Sequence, residues 1–151
     1  MSICKFNSEG YFDPTAYEAM TMIEKEERAL RAFRPIVYIC SPFSGDVEGN
    51  IAAAQRYSRC AVDKGYIPVA PHLLFPQFLD DNNPKERRLG LFFGNALMSK
   101  CAEVWVFGSS ISAGMEAEIK RAKWKDYRLR YFNENCEEVK NEQDYSNTNG
   151  V

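Results

Sequence analysis

The sequence contains a single histidine, His72, and its five cysteines (Cys4, Cys40, Cys60, Cys101 and Cys136) form no C-x-x-C pair. A structural zinc site needs four such donors close together, so no metal is expected. Scattered thiols in odd number suit a reduced, cytoplasmic protein with several cysteines in its core. No apolar run is long enough to span a bilayer, and the N-terminus lacks a signal-peptide core. Positive charge is not in excess either, since 19 Lys and Arg meet 21 Asp and Glu for a net charge of -2. That removes the basic surface a nucleic-acid partner requires. Neither a G-x-G-x-x-G fingerprint nor a P-loop lysine is present, and there is no internal repeat.

What is present suits one core-forming domain: 151 residues, 45% of them hydrophobic and 26% charged. Residues 1–12 have no periodicity and read as a loose arm. Asp13-Pro14 is a helix-start signal, and Ala16, Met20, Ile23 and Leu30 continue a helical stripe over 14–32. This helix can cover a sheet edge or a partner subunit. Ile36–Cys40 is a continuous apolar run of the kind found in central parallel strands. Val47, Ile51, Ala54, Ser58 and Ala61 mark the next helix, ending at Lys64-Gly65. Tyr66–Ala70 is a short strand that Pro68 assigns to an edge.

Pro71 to Asn83 reads as a long loop. Asn83-Pro84 starts a helix to about Lys100, with Leu89, Phe93, Ala96 and Leu97 inward. Glu103–Phe107 and Arg128–Phe132 are two further strands, and the segment from Asn133 is expected to be a polar tail that frays at its end while its first half can order against a neighbour. The alternation implies an α/β, Rossmann-like (flavodoxin-like), doubly wound parallel sheet of four to five strands with an extra N-terminal helix. The expected division is 1–34 arm and helix, 35–132 α/β domain and 133–151 tail.

Ligands of such sheets bind at the carboxyl ends of the strands. Ser41-Pro42-Phe43-Ser44-Gly45 follows the first strand, and its small residues permit close backbone approach beside a helix N-terminus. A plain tight turn explains it about as well. Ser112 is placed to cap the helix after the third strand, which carries Met115, Ile119 and Ala122 at core spacing and Glu118 in its second turn. The simpler reading of Glu118 is a solvated glutamate beside Glu116; the alternative is a reactive carboxylate at the mouth of the sheet. His72 either ties down its loop or acts on a ligand as a hydrogen-bonding group or acid. Asp80 and Asp81 read as a solvated turn. Phe75, Phe78, Phe92, Phe93 and Trp105 read as packing, while Phe43 and Phe75 can also flank a planar base.

Three stretches carry a resemblance: Tyr38-Ile-Cys-Ser-Pro-Phe-Ser-Gly45, Cys101-Ala-Glu-Val-Trp-Val-Phe-Gly108 and Ser112-Ala-Gly-Met-Glu-Ala-Glu118-Ile-Lys-Arg-Ala122. Over roughly residues 35–132 the chain resembles the nucleoside 2-deoxyribosyltransferase superfamily, in particular its uncharacterised bacterial and phage-associated members. That superfamily includes the 2'-deoxynucleoside 5'-phosphate N-hydrolases. The resemblance implies that Glu118 is the nucleophile on the anomeric carbon of a nucleoside or nucleotide. It implies that Ser112 and Gly114, with Met115 beside them, hold phosphate or sugar, and that Ser41, Pro42, Phe43, Ser44 and Gly45 contact sugar and base. It implies homo-oligomers and no cofactor. One position departs: Asn95 stands where the characterised enzymes place an aspartate, and an amide cannot act as a carboxylic acid. Either Asp80, Asp81 or His72 supplies the acid, or the chain keeps a nucleotide pocket without turnover.

Overall fold

The computed structural model describes residues 14–32 and 34–140. The arm before Pro14, the capping role of Asp13, Cys4 and the tail beyond Lys140 lie outside the described residues. The chain divides into two compact units, Met1–Arg34 and Pro35–Val151. In the first, helix α1 spans Pro14–Ala32.

The second unit is built on a sheet of strand order β2-β1-β3-β4-β5, with β1 Ile36–Cys40, β2 Ile67–Val69, β3 Glu103–Phe107, β4 Arg128–Phe132 and β5 Glu138–Val139. The first four strands are parallel and β5 pairs antiparallel with β4. β2 is an edge strand, where Pro68 removes no ladder hydrogen bond from a second neighbour. Helices α2 Val47–Asp63, α3 Pro71–Leu74, α4 Pro84–Met98 and α5 Ala113–Trp124 complete the unit.

Alternation along β1 divides the core in two. Tyr38 and Cys40 join Met98, Met115, Ile119 and Ala122 on one face of the sheet. Val37 and Ile39 join Tyr57 and Ala61 of α2 on the other, with Trp105, Phe107 and Phe132. On that second face Phe132 stacks against Phe107 at 4.8 Å between centroids and lies 4.7 Å from Trp105. Cross-strand aromatic contacts of this kind stabilise a sheet beyond simple area burial.

Two expectations need correction. Residues 71–83 are not a plain loop, because α3 and a 3-10 turn over Phe75–Gln77 occupy their first half. The inner face of α4 is Gly94 and Met98, whereas Leu89 and Ala96 are exposed, because the Tyr38 hydroxyl lies beneath Gly94. Phe78 and Phe92 are exposed and pack outside the core, on Phe75 and Phe93 respectively. Residues 134–140 turn back so that β5 pairs with β4, the first half of the polar segment ordering against a neighbouring strand as expected. Asn133 Oδ1 accepts from the backbone N–H of Asn135 and Glu137 at 2.9 Å each, closing the turn. Arg130 then grips Glu138 through two bonds of 2.8 and 2.9 Å.

The charged residues at the other end of β3 are also paired. Glu103 is buried, accepts from Trp105 Nε1 at 2.8 Å, and meets Arg128 at 3.2 Å and Arg130 at 3.4 Å.

Candidate functional site

The chain leaves β1 for β2 on one side and returns to β3 on the other, so the carboxyl ends of β1 and β3 border the crevice where such sheets bind ligands. A cavity of about 140 Å³ opens there. One water needs only roughly 10–15 Å³ on the same measure, and a cavity of about 150 Å³ holds a benzene ring, so the space admits a group the size of one aromatic ring. β1 and the segment after it contribute Tyr38, Ser41, Phe43 and Ser44, and the N-terminal half of α5 contributes Gly114, Met115 and Glu118. The far wall comes from α3 and α4, including His72, Phe75, Arg87, Gly94 and Asn95.

Glu118 is not the solvated glutamate that its neighbour Glu116 suggested. One carboxylate oxygen, Oε1, accepts from the Tyr38 hydroxyl at 2.8 Å. The other, Oε2, is buried and has no protein partner among the described residues. Burial pushes the carboxyl above its ordinary value, while the Cys40 thiol and the Tyr38 hydroxyl pull it back. Tyr38 and Cys40 are in turn pushed well up, first by burial and then by the neighbouring Glu118, so both remain protonated donors. α5 turns its Met115–Ile119–Ala122 stripe to the sheet, and this brings Glu118 inward with it.

Ser112 caps α5 by accepting from the Met115 N–H at 3.3 Å, which leaves its hydroxyl proton free at the cavity wall. Ser41 is fully buried, and its hydroxyl has no protein partner among the described residues. A Cβ on Gly114 would meet nothing within 4 Å.

His72 stacks on Phe43, with centroids 5.0 Å apart and planes 14° apart, and bonds the Ser41 backbone. Burial lowers its pKa, against an opposing pull from Asp81, so the imidazole is neutral at pH 7. His72 thus ties the wall together and lines the cavity.

Two predicted contact residues do not reach the cavity, since Pro42 and Gly45 are absent from its walls. Gly45 has φ +98°, a conformation that favours glycine, so its work is to turn the chain into α2. Asp80 and Asp81 separate. Asp80 accepts from the Asn82 N–H at 2.9 Å within its turn, whereas Asp81 lies at the cavity wall.

Sequence reasoning passed over Tyr38, Arg87 and the glycines of α4. The four-residue spacing of Gly90 and Gly94 was the signal available, because a glycine face on a helix admits close approach. Among the described residues no group of three or more His, Cys, Asp or Glu is placed to hold a metal. No helix among them is long and apolar enough to cross a membrane.

Residues 35–132 match the model of a family described as "Domain of unknown function (DUF7768)". The chain belongs to this family. The matched residues run from the start of β1 to the end of β4 and hold every cavity residue named above. No curated protein matches the chain in sequence. Among solved structures, the chain is similar to a 2-deoxyribosyltransferase from the psychrotolerant bacterium Bacillus psychrosaccharolyticus. The TM-score is 0.57 at 11% identity, over 77% of this chain and 91% of that one. At that identity the likeness establishes the fold.

Proposed function

We propose that the cavity cleaves or exchanges the N-glycosidic bond of a nucleoside or nucleotide through a covalent ester on Glu118. The observation that carries this reading is the split environment of one carboxylate: Oε1 is held by Tyr38, and Oε2 has no hydrogen-bond partner among the described residues. A nucleophile needs that combination of fixed position and uncommitted electron pair. The fold it shares with a 2-deoxyribosyltransferase supports the same chemistry.

In this reading Glu118 Oε2 attacks the anomeric carbon and the bond to the base nitrogen breaks. The departing base takes a hydrogen bond from the protein. His72, neutral at pH 7, is proposed to hydrogen-bond the departing base, which takes its proton from water, and the Phe43 ring beside it is the proposed platform for the base. Asn95 bonds a sugar hydroxyl or a base edge, and Ser41, Ser44 and Ser112 hold sugar or phosphate. Water then hydrolyses the ester, or a second base displaces the sugar. Pro42 and Gly45 drop out as contact residues, and Met115 acts through packing.

A second reading, a nucleotide-binding module without turnover, is favoured by the amide at Asn95. Chromatography of the protein with a panel of nucleosides and nucleoside monophosphates, alongside Glu118→Ala, separates the two. Free base released by the wild type but not by the variant supports the glycosidase. A ligand-induced rise in Tm without released base supports the binding module. Full activity in Glu118→Ala would sink the nucleophile assignment.

A further inference from the structure

Away from that cavity, Cys60 of α2 and Cys136 of the β4–β5 turn meet across 76 positions of sequence. Cys60 Sγ lies 4.0 Å from the Cys136 carbonyl oxygen, and both side chains pack on the aromatic core of that face. They line a shallow groove with Arg56, Arg59, Lys64 and Asp63, three cations against one carboxylate. Both sulfurs are free thiols. Cys136 is held at φ +63° and only partly buried, so it is reachable from the groove.

We propose that Cys60 and Cys136 form a redox-active dithiol, which a small anionic disulfide oxidises to an intramolecular bridge between α2 and the β4–β5 hairpin. The order of attack follows from the surroundings. Burial and the neighbouring Cys136 push the Cys60 thiol up to about 12, so Cys60 is the poorer first nucleophile. Cys136 loses its proton and attacks one sulfur of the small disulfide, whose other half leaves as a thiolate. The Cys60 thiolate then attacks Cys136 Sγ and expels the second half. Two protein thiols lose two electrons and two protons, and the small disulfide is reduced to two thiols. The groove's excess of cations selects an anionic reagent.

The test treats the full chain with glutathione disulfide, alkylates the remaining thiols and maps peptides by mass spectrometry without reduction. The expected result is a linked Cys60–Cys136 peptide that disappears on adding dithiothreitol, together with a higher Tm for the oxidised protein. Cys60→Ser should stop at a persistent mixed disulfide on Cys136, and Cys136→Ser should leave Cys60 unreacted over the same period. Wild-type protein recovered with both thiols alkylated, or with a lasting mixed disulfide on Cys136, overturns the proposal. Glutathione disulfide should also react faster than cationic cystamine, and the double variant Arg56→Gln, Lys64→Gln should lose that preference. Equal or reversed rates in the wild type overturn the assigned oxidant class.

Discussion

The Tyr38 hydroxyl donates to Glu118 Oε1 at 2.8 Å across eighty positions of sequence. The bond joins the central strand to the helix that follows β3, and it lies beneath Gly94 of α4, where a Cβ would come 3.4 Å from the same hydroxyl. Three elements thus set the position of one carboxylate.

Replacing Tyr38 by Phe removes the donor and leaves the packing ring. The buried carboxyl should then be harder to ionise, and stability at neutral pH should fall by about 1–3 kcal/mol, the usual cost of an unsatisfied buried polar group. Urea denaturation measures the loss. In the proposed reaction the acid limb of the pH–rate profile should move to higher pH, because ionisation of Glu118 is required.

The raised Glu118 pKa has a consequence for stability. Between its ordinary value of 4.5 and the higher folded value, the native state keeps a proton that the unfolded chain has lost. Stability therefore falls as pH rises through that window. Glu118→Gln abolishes this dependence. Thermal melts should place the variant above the wild type at about pH 8, with the gap closing below about pH 4.5.

Gly114 offers a test in which stability and ligand use part company. Its Cβ position is open space in the first turn of α5, so Gly114→Ala should fold at least as well, gaining up to about 1 kcal/mol of helix propensity. If sugar or phosphate approaches that backbone, the added methyl obstructs it. Nucleoside-induced Tm shifts and base release should both drop while the unliganded Tm holds or rises. Undiminished ligand responses would remove Gly114 from the site.

Glu103 has a structural part to play. Glu103→Ala leaves the buried Trp105 Nε1–H without an acceptor while Arg130 keeps Glu138, and should cost about 1–3 kcal/mol. Arg128→Ala, at an arginine whose side chain is 72% exposed, should cost under about 1 kcal/mol. Denaturant midpoints of the two variants check the contrast, with the cavity ligands unaffected by Arg128→Ala.

The elements themselves were readable from the residues. Ile36–Cys40 and Glu103–Phe107 are unbroken apolar runs, Ser112 and Asn83 carry capping chemistry, and Pro68 marks an edge. These signals act over a few residues, through hydrogen bonds to the nearest turn or through side-chain alternation. β5 could be expected only as a segment that orders against a neighbour, because Asn133–Glu138 has no apolar alternation. Its order comes from an asparagine-centred turn and the Arg130–Glu138 pair, both of which need the hairpin to be closed first.

By itself, then, the sequence determined the parallel strands, the long helices and the nomination of Glu118 through the Ser112–Glu118 pattern. Tertiary structure decided whether that carboxylate meets water or a tyrosine, and which loop residues reach the cavity. It also brought Cys60 to Cys136. The physical reason is range: capping and periodicity are settled within one turn or strand. Burial, orphaned oxygens and thiol contacts are set by neighbours tens of residues away, and those neighbours meet only when α2, α4 and α5 pack on the sheet.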